Sequence, residues 1–151
     1  MNELIETFEI NNRINLYLLD AIAPANLKAQ AGGKGRTVGE MFAHIHNVRL
    51  MWLNAAAPDL AEKVEKIEKE ADKKLIEKSL KVSGEAVAEL LKRAGGPGGR
   101  IKNFKPHAAA FVGYLVSHES HHRGQIALTL KLNGAPLDKK IGFGMWEWGS
   151  R

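Results

Sequence analysis

Apolar residues recur along this chain at helical rather than strand spacing. Over residues 3–22, Leu4, Ile5, Phe8, Ile14, Leu16, Leu18, Leu19 and Ile22 show little alternation, which predicts a first helix ending before Pro24. Ala31 to Arg36 is glycine-rich and reads as a loop. Thr37 then fits an N-cap, with Glu40 three residues later as its capping-box partner. The second helix should run to about residues 54–56 and stop at Pro58. Residues 59–71 are charged and weakly patterned, and read as loop or marginal helix. Asp72 should cap a third helix through Ala94, with Leu75, Leu80, Val82, Val87, Leu90 and Leu91 as its apolar positions and Ser83-Gly84 as a place to break or bend. Gly95 to Gly99 is a stop. Pro106 fits the first turn of a fourth helix reaching about Leu132, and Asn133-Gly134 ends it. The tail from Ala135 to Arg151 looks irregular, anchored by Trp146-Glu147-Trp148. Phe143, Trp146 and Trp148 are expected to close a bundle end rather than to bind a ligand.

Four long helices and no credible strand predict an all-α protein, one four-helix bundle domain over residues 1–151. Short connections favour antiparallel neighbours, with 59–71 a candidate crossover.

The polar residues that break the apolar faces carry the candidate chemistry. His118-Glu119-Ser120-His121-His122 puts His118 and His122 four residues apart, on one helix face. Two such imidazoles can share a metal ion at roughly 2.0–2.1 Å each. Relative to His118, His122 lies at about +40°, Gln125 at about −20° and His121 at about −60°, with Phe111, Tyr114 and Thr129 near His118. His118 and His122 therefore form the pair, and His121 flanks it. On the second helix, Met41, Ile45, Val48, Met51 and Trp52 define a core face with His44 at its edge, so His44 becomes the third ligand. His46 points the other way, with Phe42, Leu50 and Leu53. That second apolar strip suggests a subunit interface and places His46 on a surface. His107, near a helix start, also reads as surface. The bland alternative is that these histidines are hydrogen-bonded core residues.

Three neutral imidazoles leave a divalent ion its full charge and an open position, the pattern of a catalytic zinc site rather than a closed structural one. Zinc or nickel suits the donor set, and iron, cobalt or manganese is also admitted. Gln125, Tyr114 and Glu40 are the candidates for supporting the rings or the open position, Glu40 lying one turn before His44.

Composition narrows the classes. The chain has no cysteine, which excludes disulfides, thiolate ligands and a cysteine nucleophile, so any thiol must come from outside. Ser117 and Ser120 point away from their histidine neighbours on a helix, so no serine triad follows. The charge of +5 raises the question of nucleic acid, but the lysines of 62–70 alternate with glutamates, which reads as a solvated face. No apolar run reaches the ~18–20 residues of a membrane span and no signal peptide is evident, so a cytoplasmic location is expected.

Two stretches carry a family resemblance. Thr37-Val38-Gly39-Glu40-Met41-Phe42-Ala43-His44-Ile45, followed by Arg49 and Trp52, resembles the second-helix motif of the DinB-like (DinB/YfiT-like) metalloenzyme family. His118-Glu119-Ser120-His121-His122-Arg123-Gly124-Gln125-Ile126, with the trailing Leu132-Asn133-Gly134, is similar to that family's second motif. The resemblance implies a four-helix bundle, often homodimeric, whose divalent metal is held by one histidine of the second helix and an HxxxH pair, here His44, His118 and His122. It implies metal-dependent transferases and isomerases that use low-molecular-weight thiols such as bacillithiol or mycothiol. The family name also suggests a stress response. This chain keeps the three ligand positions and departs in its loops and tail. The expected function is a metal-dependent thiol S-transferase, or a related hydrolase or isomerase, acting on a small molecule. The competing expectation is a non-catalytic dimeric stress-response or metal-binding bundle.

Overall fold

The computed structural model describes residues 3–68 and 70–151. Its long helices are α1 (Glu3–Asp20), α2 (Val38–Ala56), α4 (Lys73–Ala94) and α5 (Ala108–Leu132), with short α3 (Pro58–Ala61) and α6 (Lys139–Gly144) between and after them. The caps explain the boundaries. Thr37 and Glu40 form the reciprocal capping box of α2. Asp72 accepts from the Leu75 N–H at 2.7 Å to open α4. Gly95 closes α4 in the left-handed conformation at φ 80°. The α5 cap is His107, whose Nδ1 accepts from the Ala110 N–H at 3.1 Å, so Pro106 stands just before the cap rather than in the first turn. α4 runs unbroken through Ser83-Gly84; a side chain on Gly84 would meet that of Asn12 on α1, so the glycine makes room for it.

α1 packs on α4 and α5, and α2 packs on the same two helices, so α1 and α2 stand at opposite corners. Gly39 lies by Ala71, and Arg49 meets Leu80 and Ser83, so α2 and α4 run parallel. Parallel neighbours need a crossover, and residues 57–68 and 70–72 supply it by running back along α2. Within this strap Val64, Ile67 and Ala71 turn inward while the lysines and glutamates described around them stay exposed. Asn47 pairs with both the carbonyl and the N–H of Ile67, at 2.9 and 3.0 Å, and fixes the strap to α2.

The strap and the neighbouring helices cover most of α2, which corrects two expectations. His46 is buried, not on a surface, and its Nε2–H donates to the Glu65 carbonyl at 2.7 Å. Phe42, Leu50 and Leu53 are buried within this one chain, so that strip is no free interface. Met51, placed on the core face, is exposed, as is Leu75 of α4. The tail differs too. It forms α6, and its anchor is Arg151, whose guanidinium lies over the Tyr17 ring at 3.9 Å and donates to the Gly144 carbonyl. Trp146 and Phe143 close nothing, being 77% and 71% exposed.

The core is split in two. One apolar cluster gathers Phe8, Leu53, Val87 and Phe111; the other gathers Leu18, Phe42, Ile76 and Ile126. Between them lies a buried polar layer. The Glu119 carboxylate receives a fork from Arg49 at 2.7 and 2.8 Å. Asn11 and Asn15 donate to the same carboxylate at 2.6 and 2.7 Å. Arg123 donates to the side-chain oxygens of Asn11 and Asn15, and Arg49 also reaches Asn12. Four helices are thus tied in one register. Desolvation pushes the Glu119 carboxyl up, but the charge and hydrogen bonds of Arg49 outweigh it and hold the group below the usual range, hence ionised.

Candidate metal centre

Beside the polar layer, on an adjoining face of α5, stand His118 and His122, and α2 brings His44 to them. Glu119 and Arg123, adjacent in sequence to the two α5 histidines, are locked in the layer and so set the rotation of α5. The His118 Nε2 lies 3.2 Å from the Nε2 of His44 and 3.2 Å from that of His122. Metal–nitrogen bonds of roughly 2.0–2.1 Å at a tetrahedral angle would space ligand nitrogens about 3.3 Å apart. Among the described residues, these three histidines are the group whose ligand atoms converge.

The donor chemistry fits a cation. His122 Nδ1 sits 2.8 Å from Gln125 Oε1, so Nδ1–H donates to the amide oxygen and the Nε2 lone pair faces the centre. A single N–H on His118 could point at only one of its two neighbours, so the bare cluster leaves nitrogen lone pairs facing each other. A divalent ion would satisfy all three. Burial, then the positive charge of Arg36 and the other two histidines, pushes His44 down to about 4. His118 and His122 are also lowered, chiefly by burial. All three are therefore neutral near pH 7, as ligation requires.

The same depression fixes how the metal-free protein responds to acid. An unfolded histidine takes up its proton near 6.5, before the folded site does, so the stability due to the neutral site is full above about 6.5 and falls as pH drops toward about 4. Melting curves of chelated protein should show a falling Tm across that window; a flat profile would contradict the burial of these rings.

The support candidates separate. Gln125 contacts a ligand ring directly. Replacing it with Leu should lower metal affinity about 10–100-fold with little effect on the metal-free fold, read by competition with a chromophoric chelator. Tyr114 stacks on His118, the ring planes 13° apart, and joins Trp52 and Phe104 in an aromatic group behind that ring. Glu40 makes no hydrogen bond to His44; its carboxylate serves the α2 cap, and it lines a groove beside His44. His121 is exposed, its ring 5.1 Å from that of His122. The groove, about 320 Å³, is also walled by Arg36, Asn47 and Ile67.

Sequence reasoning missed Arg36, Asn47 and the polar layer. Asn11, Asn12 and Asn15, set on the otherwise apolar pattern of α1, were the available signal for the layer. Arg36 and Asn47 carried none, because their roles depend on a loop and a strap that only the fold brings to α2.

The wider comparisons agree with this architecture. No curated protein matches the chain in sequence. A crystal structure of a DinB-like protein from Bacillus cereus superposes with a TM-score of 0.67 at 17% identity, covering 89% of this chain and 93% of that one. A DinB-like protein from Bacillus subtilis gives 0.64 at 17% identity, covering 91% and 96%. At such identity the likeness concerns the fold alone. The family's sequence profile matches residues 1–138, and by that match the chain belongs to the DinB family.

Proposed function

We propose that the chain is a divalent-metal-dependent enzyme acting on a small molecule, a thiol S-transferase or a related hydrolase or isomerase. Zinc or nickel is the proposed ion, and the thiol is external because the chain has no cysteine. The observation that carries this reading is the convergence of three Nε2 atoms, two of the contacts at 3.2 Å, with no fourth protein ligand grouped with them among the described residues. An ion bound there would keep its charge and acidify a thiol or water at its open position.

The chain's own residues do the rest. His44, His118 and His122 hold the ion, and Gln125 fixes the tautomer of His122. Tyr114 backs the His118 ring. Arg36 brings a positive charge to the groove, which favours an anionic form of whatever enters beside His44. Glu40 and Asn47 shape that groove.

A second reading, a non-catalytic dimeric stress-response or metal-binding module, draws on a different observation. Leu128, Leu132, Phe143 and Trp146 are large apolar side chains left exposed, and a homodimer would cover such residues. A cytoplasmic location belongs to both readings; among the described residues no helix is long and apolar enough to cross a membrane. The deciding assay loads the protein with zinc or nickel and follows thiol consumption against a panel of small electrophiles. The enzyme reading expects turnover that His44→Ala abolishes. Equal rates for wild type and variant would favour the module.

A further inference from the structure

His46 lies two residues from His44, about 200° round the helix, so it faces the opposite side of α2 from the metal centre. There the strap crosses it, and between the strap and α4 lies a cavity of about 190 Å³ with His46 in its lining. Ile67, Leu75 and Val82 form apolar walls. Leu75 is 44% exposed, the large apolar side chain of α4 that the bundle leaves uncovered. Around the walls stand Lys63, Lys66 and Lys78, with Glu65 as the acid among them.

None of the three lysines forms an ion pair among the described residues, whereas on the same helix Lys81 is paired with Glu77 and Arg93 with Asp59. Like charges gathered round an apolar hollow repel one another unless an anion joins them. An apolar cavity of about 150 Å³ admits benzene, so this one has room for an aryl ring and a short arm. Ammonium groups are compact point charges that match a carboxylate without demanding the forked geometry of a guanidinium. The strap on this side is also pinned, by His46 to the Glu65 carbonyl and by Asn47 to Ile67, so the walls are held in place rather than formed on demand.

We infer that this cavity is a second ligand site, separate from the histidine cluster, for a small carboxylate with an apolar body. The apolar part seats against Ile67, Leu75 and Val82, and the carboxylate meets the lysines at the rim. Ile67 also walls the groove beside His44, but the pinned strap separates the two hollows.

The test is an amide NMR titration of the intact chain with phenylacetate, run with and without one equivalent of zinc. Phenylacetamide supplies the same shape without charge, and inorganic phosphate supplies charge without an apolar body. The inference expects saturable shifts at residues 63–67 and 75–82, alike with and without zinc. It expects affinity about tenfold weaker for phenylacetamide and for the Lys66→Gln/Lys78→Gln variant, whose exposed substitutions leave the fold intact. Shifts confined to the surroundings of His44 and dependent on zinc would overturn it, because the carboxylate would then be bound at the metal. Absence of saturation, binding of phosphate as tight as phenylacetate, or a variant indistinguishable from wild type would overturn it equally.

Discussion

Glu119→Gln should destabilise the protein by about 3–5 kcal/mol, lowering Tm by on the order of 10 °C. Glu119 is fully buried and its two carboxylate oxygens accept from Arg49, Asn11 and Asn15. Every neighbour is a donor. An amide in either orientation turns its own N–H groups toward at least one of them. It also removes the negative charge between Arg49 and Arg123, both buried. The loss is therefore that of a broken buried ion pair, not of one weakened hydrogen bond. Urea unfolding of the metal-free variant measures it. A loss under about 1 kcal/mol would show that the layer relaxes, and that the rotation of α5 is set by packing alone.

The second large effect concerns the metal. Binding to the folded state alone stabilises by mass action, about 2.7 kcal/mol at a free ion concentration one hundred times Kd, or roughly 5–10 °C in Tm. Zinc should raise the Tm of the wild type by that order, and a chelator should reverse it. His44→Ala and the His118→Ala/His122→Ala double variant should lose the response. Without metal both should still fold cooperatively, with a loss much smaller than that of Glu119→Gln, because the His118 Nδ1 is buried with no hydrogen-bond partner to lose. A zinc shift that survives in these variants would place the ion elsewhere.

How far the fold could be read from sequence follows from which signals are local. Helix ends rest on neighbours in the chain, so Thr37 with Glu40, Asp72, Gly95 and Asn133-Gly134 stood where the structure uses them. The convergence of His44 with His118 and His122 was legible for the same reason, since helical spacing fixes which residues share a face. What a single helix cannot reveal is how many partners surround it. The strip of Phe42, His46, Leu50 and Leu53 pointed to a second burial partner, but the partners are the chain's own strap and neighbouring helices. The polar layer left only the hint of Asn11, Asn12 and Asn15 on α1, because their partner Glu119 lies more than 100 positions from Asn11 and Asn15 and only the fold brings them together. The exposed Phe143 and Trp146 show the converse error, aromatic composition taken as burial.

One divalent ion should be held by His44, His118 and His122. Elemental analysis of untagged protein, purified without added metal and again after incubation with zinc or nickel, tests it most directly. Wild-type protein should carry close to one zinc or nickel per chain, and His44→Ala and His118→Ala/His122→Ala should retain none. Wild-type protein that retains no metal from any of these preparations would contradict it, and would leave the three rings as core residues of a helical bundle.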